Sequence, residues 1–531
     1  MNPRRLTPQT TLENLKKEAK RRLKALRSND PTALTLRNVQ LALAREHGFA
    51  GWIELKNTLA AYTPPPSETL AIDTRKNQIG PRRLLSLQEW DALLGEMQEQ
   101  HLTSLNANGF ITDEALGRIS KLSHVTSLDL SGSRELSDEG LQHLAKMPQL
   151  QRLSLNEYPG GKLTDRGLEV LCHLPELQQF EMTWQSGITD AGAANLQFCE
   201  KLERVNLMGS PTGDSTIEAL RGKPRLRYFQ TGRFVTDAGL AMLHDFPRFK
   251  SWHPAPDEDE PTRLLIDGPF TNEGLASLAG LDGVYALDLF WHVTGITTDA
   301  FEVFSRLPNL GSLGCDGGLS DDRAMHHIAA IPRLRKLRAQ GSVATDEGFI
   351  ALSRSLALEN FWGREAPNLT GKGFAALSKM PSLKKLGISC LNVDDHALST
   401  LPDFPALRDL TPIDVRDEGF RHIARCAKLE RLACMYCRDT TDLATEHIRN
   451  LRLKTYYAGK TQITNKSLEI LSGMPSLQQM QFWQCAGITD AGLLFLATLP
   501  NLREIQFSGT PNVTLKGTRV FPTSVHVDYS T

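Results

Sequence analysis

From Ile111 to the C-terminus, apolar residues follow a double rhythm that renews itself about every 25 residues. The stretch LTDRGLEVLCHLPELQQFEM, Leu163 to Met182, displays it. Leu168, Leu171 and Leu174 fall at helical spacing, and Leu177, Phe180 and Met182 end in the alternation of a strand. Further copies begin at Ile188, Leu369, Ile463 and Ile488. A fixed period of this size predicts stacked units, each one helix and one short strand, that bury their apolar sides against their neighbours. Thr164 and Asp165 precede the helix, where a hydroxyl or carboxylate caps free backbone N–H groups. Gly167 in the first turn allows close packing on the next unit, and Pro175, like Pro148, Pro308, Pro332, Pro381, Pro405, Pro475 and Pro500, stops the helix. Helices need about 10 Å of lateral room and strands about 4.8 Å, so the predicted array bends with a parallel sheet on its concave side.

The pattern LxxLxL followed by ITDxGLxxL resembles the leucine-rich repeat, over roughly four-fifths of the chain and about seventeen units. The resemblance implies an α/β solenoid, a leucine-rich-repeat horseshoe or superhelix with convex helices, whose concave row docks a partner. Cys199 and Cys426, three residues before Leu202 and Leu429, with Cys437 and Cys485 after their strands, resemble in part the cysteine-containing subclass found in F-box proteins. These thiols are expected to be buried packing.

Ahead of the repeats, Leu12, Leu15, Ala19, Leu23 and Leu26 line one stripe of a helix closed by Asn29-Asp30-Pro31, and two more helices follow near 32–46 and 52–60. The basic set Lys16, Lys17, Lys20, Arg21, Arg22, Lys24 and Arg27 reads as a solvated face. The stretch from Asn38 to Leu59 resembles the helical segment ahead of repeats in bacterial ankyrin-repeat proteins, which implies a bacterial source. The organisation expected is a helical module over 1–62, a linker over 63–83, a solenoid cap over 84–110, and repeats with a C-terminal cap over 111–531. One unit, between Val235 and Thr271, is about ten residues too long and carries the acidic stretch from His253 to Arg263, read as a solvated loop.

Charge and cysteine content narrow the function without naming it. Sixty basic against 61 acidic residues leave a formal net charge of -1, so no global field attracts nucleic acid or membrane. Eight cysteines, below the density of a disulfide scaffold, an opening without a signal-peptide core and no apolar run of membrane length predict a cytoplasmic protein with reduced thiols. Secretion into a host as an effector stays open. No GxxxxGK, HExxH, GxSxG or zinc-spaced Cys/His set is present, and the His326-His327 pair reads as helix surface. The expectation is therefore no catalytic residue, no metal and no cofactor.

The strand positions between the core leucines carry more. Ser127, Asp129, Arg152, Ser154, Glu181, Asn206, Asp288 and Asp316 make the first half small and mildly acidic. The later strands turn aromatic and basic with Lys336, Arg338, Trp362, Arg364, Lys385, Arg431, Tyr457 and Trp483, and Phe290 stands near the junction. Trp, Tyr and Arg dominate binding hot spots, so these nine form the candidate partner-binding set for a protein of unknown identity. Cross-strand packing is the competing explanation for the aromatics. Two other readings follow. One is an F-box-like adaptor or effector for ubiquitin ligation, against which Leu12 to Leu59 lacks the LPxE opening. The other is a nucleic-acid or small-ligand binder on the same patch, which the near-zero net charge disfavours. Oligomeric state is not readable.

Overall fold

The computed structural model describes residues 12–27, 35–47, 49, 51–52, 54–56, 70–73, 76–157, 161–253, 262–290 and 293–530. The chain forms two compact units, residues 1–177 and 178–531.

In the first unit, helices α1 (Leu12–Arg27) and α2 (Leu36–Glu46) bury Leu15, Ala19, Val39, Leu43, Ala44 and Leu55, with Phe49 and Trp52 packed against them. Lys16, Lys17, Lys20 and Arg21 are exposed, while Arg22 bonds Glu18 at 2.5 Å and Glu46 at 2.6 Å. The side chains of Leu12, Lys24, Leu26 and Arg27 lie outside the described residues, as does most of the third predicted helix beyond Lys56.

The stretch expected as a linker contains a hairpin. Strands β1 (Leu70–Asp73) and β2 (Gln78–Pro81) pair antiparallel, and β2 runs parallel to β3 (Ser104–Asn106). Strands β4 (Ser127–Asp129) and β5 (Arg152–Ser154) continue the parallel ladder. Two four-residue strands are too short to show a period, and their turn rests on Asp73 accepting the Lys76 N–H at 3.2 Å and on Asn77 at φ 51°. Helix α3 (Leu87–Glu99) follows, opened by a Ser86/Glu89 capping box and burying Trp90, Leu93, Leu94 and Met97.

The second unit is a run of parallel strands: β6 (Gln179–Glu181), β7 (Arg204–Asn206), β8 (Tyr228–Gln230), β9 (Arg263–Ile266), β10 (Ala286–Leu289), β11 (Ser312–Cys315), β12 (Lys336–Arg338), β13 (Asn360–Gly363), β14 (Lys385–Ser389), β15 (Asp409–Ile413), β16 (Arg431–Met435), β17 (Thr455–Gly459), β18 (Gln479–Trp483), β19 (Glu504–Ser508) and β20 (His526–Ser530). Each pairs with the next in parallel, with a short helix between most of them. This is an α/β solenoid of leucine-rich-repeat architecture. Strands lengthen along it, from three residues at β6 to five at β14 and every strand after it. The alternating residues Leu337, Phe361, Leu386, Leu410, Leu432, Tyr456, Met480 and Ile505 are all at most 2% exposed and form one continuous core row.

The recurrent Asp does a different task from the one its position suggested. In several units the residue before it supplies the helix cap, as where the Thr236 hydroxyl accepts the Ala238 N–H at 3.3 Å. The Asp instead accepts bonds from the next unit: Asp214 from the Thr236 backbone and hydroxyl (2.8 and 2.5 Å), Asp322 from Thr345 (2.7 and 2.8 Å), Asp417 from Thr441 (2.8 and 2.6 Å), and Asp490 from Thr514 (2.8 and 2.7 Å). Asn465 substitutes in one joint, accepting the Thr489 N–H at 2.9 Å and donating to its hydroxyl at 2.8 Å. These carboxylates explain the glycine that several units carry in the first helical turn, beside the Asp of the preceding unit. A Cβ on Gly274 would stand 2.2 Å from Asp237 Oδ1, and one on Gly348 would stand 2.5 Å from Asp322 Oδ1. Where the position is Ser467, its hydroxyl joins the joint and donates to Asp442 at 2.6 Å.

Cys199, Cys426, Cys437 and Cys485 are all buried. Residues 254–261 of the acidic insertion lie outside the described residues.

Candidate partner-binding face

Cross-strand register places the candidate side chains in rows. Ser312, Lys336, Asn360, Lys385, Asp409, Arg431, Thr455 and Gln479 are successive partners, and two positions further along run Gly314, Arg338, Trp362, Gly387 and Thr411. Tyr457 sits opposite Ala433 and Gln481, and Trp483 opposite Gly459 and Ser508. Small residues are therefore interspersed with large ones along the face. The Trp362 ring lies over Gly387, where an added Cβ would meet Trp362 Cε3 at 2.2 Å. The Trp483 ring covers Gly459 in the same manner, at 2.9 Å. Both indoles are half-buried, so packing on the neighbouring strand and a remaining open face coexist.

The acidic and basic halves meet in an ion cluster. Arg338 bonds Asp316 and reaches across Gly314 to Asp288 at 3.1 Å. A Cβ on Gly314 would lie 2.0 Å from Asp288 Oδ1 and 2.7 Å from Arg338 Nη2, so glycine is what lets the guanidinium cross the intervening strand. Burial pulls the Arg338 pKa down, but the two carboxylates outweigh it and hold the group above its usual range. Arg338, Asp288 and Asp316 are thus occupied with each other. Lys385 stands 3.7 Å from Asp409, which also accepts from Arg431 at 2.7 Å. Lys336 is exposed, with no carboxylate at ion-pair distance among the described residues. Phe290 packs with Trp184 at 6.1 Å between ring centroids.

The remaining candidates form stacked pairs, one within β16 and β17 and the others just past the C-terminal ends of their strands. Arg431 lies over the Tyr457 ring at 4.8 Å. Arg364 lies over the Tyr436 ring at 4.5 Å and bonds Glu365 at 2.7 Å. Lys460 Nζ sits 5.0 Å from the Tyr436 centroid and 4.8 Å from that of Trp483, and those two rings meet edge to face at 5.4 Å. Each such cation–ring contact is worth about 0.5–2 kcal/mol.

Tyr436 and Lys460 escaped the sequence reading, yet they occupy a special backbone position. After its strand, a unit bends through one left-handed residue whose N–H still reaches the neighbouring strand. Gly317 donates to Gln340 O at 2.8 Å, Gly341 to Arg364 O at 2.7 Å, and Gly509 to Ser530 O at 2.9 Å. Tyr436 and Lys460 do the same, to Gly459 O at 3.0 Å and Trp483 O at 2.8 Å, with φ 59° and 55°. Glu365, Asp414 and Gln484 share the conformation. A Cβ there costs about 1–2 kcal/mol, which glycine avoids. The readable signal was the glycine at this place in SGS, MGS and FSGT, and its absence from MYCRD and AGKTQ.

Among the described residues, no group of three or more His, Cys, Asp and Glu is placed to hold a metal ion. His326 and His327 lie on the helix Asp322–Ala329, in a groove with Asp299, Arg323 and Glu347. No described helix is long and apolar enough to cross a membrane.

No family model matches the chain. Among solved structures it is similar to yeast Rad7 in its complex with Elc1, at 16% identity over 83% of this chain and 88% of that one, with a TM-score of 0.35. It is also similar to TLR13 in its complex with ssRNA13, at 13% identity over 81% of this chain and 69% of that one, with a TM-score of 0.49. Neither likeness speaks for a partner here. The fold assignment stands on the chain's own strands, helices and joints.

Proposed function

We propose that the protein is a non-enzymatic binding scaffold that holds a protein partner on the sheet face between β13 and β18. The observation that carries this reading is the set of pre-stacked groups: Trp362 over Gly387, Arg431 on Tyr457, and Arg364 and Lys460 on Tyr436. Side chains already held in place lose little rotamer freedom on binding, so most of their contact energy reaches the affinity. The five-residue strands β14 to β18 make the sheet broader here than at the three-residue strands that open the unit. Lys336, Lys385 and Phe290 belong to the flanks of the interface, whereas Arg338 supports the sheet from within its ion cluster.

The test is affinity capture from the native cell with the wild type and with a Trp362→Ala, Trp483→Ala variant, with nuclease treatment in parallel. The variant is expected to lose its partner and to keep nearly the same melting temperature. Undiminished capture, or capture abolished by nuclease, sinks this reading.

A further inference from the structure

Resting on the reading that this face docks a protein segment, we propose that Lys460 is the receptor for a carboxylate of that segment, making the partner strand acidic where it crosses β16 to β18. Two independent observations lead there.

The first is an unspent charge. Lys460 Nζ lies between the rings of Tyr436 and Trp483, and no carboxylate stands at ion-pair distance from it among the described residues. The other stacked cations are committed: Arg364 to Glu365, Arg431 to Asp409. Aromatic rings hold an ammonium in place without neutralising it, which leaves Lys460 positioned and still attractive to an anion.

The second is backbone conformation. Tyr436 and Lys460 adopt the left-handed turn that Gly209, Gly317, Gly341 and Gly509 make elsewhere in the same unit. Packing does not demand a side chain there, since those four units close without one. Strain kept at adjacent units, in residues that meet over one another, points to a use outside the fold. Asp414, one unit earlier on the same rim at φ 64°, repels an anion, so the carboxylate is directed to the Lys460 and Gln484 side of Tyr436.

The test uses the full chain and a fluorescein-labelled oligoglutamate peptide, read by anisotropy at low salt, with oligolysine and a single-stranded oligonucleotide as comparison probes. Lys460→Met keeps the aliphatic stem on the rings and removes the charge; it is expected to weaken oligoglutamate binding about tenfold. Lys460→Gly, which removes the ammonium and its stem while the left-handed turn is kept, is expected to weaken it equally. The proposal is overturned by equal oligoglutamate affinity in wild type and Lys460→Met, by oligolysine binding as well as oligoglutamate, or by the oligonucleotide binding more tightly than either. Loss of native partner in the Trp362→Ala, Trp483→Ala variant together with a charge-indifferent Lys460 leaves the docking face standing and removes the carboxylate assignment. Intact capture by the tryptophan variant removes the docking face itself.

Discussion

Asp237 Oδ1 accepts the backbone N–H of Thr271 at 2.6 Å and Oδ2 accepts the Thr271 hydroxyl at 2.7 Å, although 34 residues separate the two. The same joint elsewhere closes over 22 residues at Asp214 and Thr236, or 24 at Asp346 and Thr370. The insertion after His253 thus leaves the contact between its unit and the next intact.

Backbone and hydroxyl bonds from Thr271 hold the Asp237 carboxyl below the usual carboxylate range. A depressed folded pKa adds stability above the unfolded value near 4 and loses it as pH falls through the lower folded value. Asp237→Asn can adopt the arrangement seen at Asn465, so at neutral pH it should cost no more than about 1 kcal/mol. That difference should shrink below pH 4, as read by urea unfolding at several pH values. A gap that does not change with pH counts against this account.

Replacing a helical glycine by alanine normally gains up to about 1 kcal/mol. At Gly348 the new Cβ would meet Asp322 Oδ1 at 2.5 Å and Asp322 Cα at 3.0 Å, an overpacking that costs about 1–3 kcal/mol. The clash outweighs the propensity, so Gly348→Ala should lower the urea midpoint. Gly348→Ser, though larger, should lower it less, because Ser467 shows how a hydroxyl at this place donates to the carboxylate.

Arg338→Met should destabilise the protein by roughly 1 kcal/mol, a modest figure because the guanidinium is partly exposed. The loss comes from leaving Asp288 and Asp316 side by side. Adding Asp288→Asn should recover part of it, and a double-mutant cycle measures the coupling. Strictly additive effects would show that the cluster is not a unit.

Native thiol titration should report one fast equivalent. Cys172 is exposed, and the other seven cysteines are buried. Burial pushes Cys437 and Cys426 up to about 12, so neither supplies thiolate at neutral pH. The remaining equivalents should appear only on unfolding. A Cys172→Ser variant should show none before that.

The repeat was legible because its determinants are local: leucines three apart make a helix face, and a proline after them ends it. The joints were not. Asp237 and Thr271 are neighbours only once the units stack, and a carboxylate next to a cap looks like part of the cap. The candidate face divides similarly. Alternation put Trp362 and Arg431 on the sheet surface, but which small residue each ring covers depends on register with the next strand. Arg338 looked available because Asp288, its partner two strands away, stood in the other half of the pattern. Tyr436 and Lys460 lie outside the strand alternation, so a period of two passes over them.

Because most joints set an Asp or Asn of one unit against a Thr or Ser of the next, those joints are indifferent to which two such units meet; Thr298 and Asp321 exchange the roles, and Asp394 and Arg416 stand where other units carry the hydroxyl. A deletion or duplication of one whole period rejoins like with like, whereas a cut inside a period strands a donor. Such an array can change length in evolution by whole units wherever this joint recurs, and the candidate face can drift in letters while those seams stay the same.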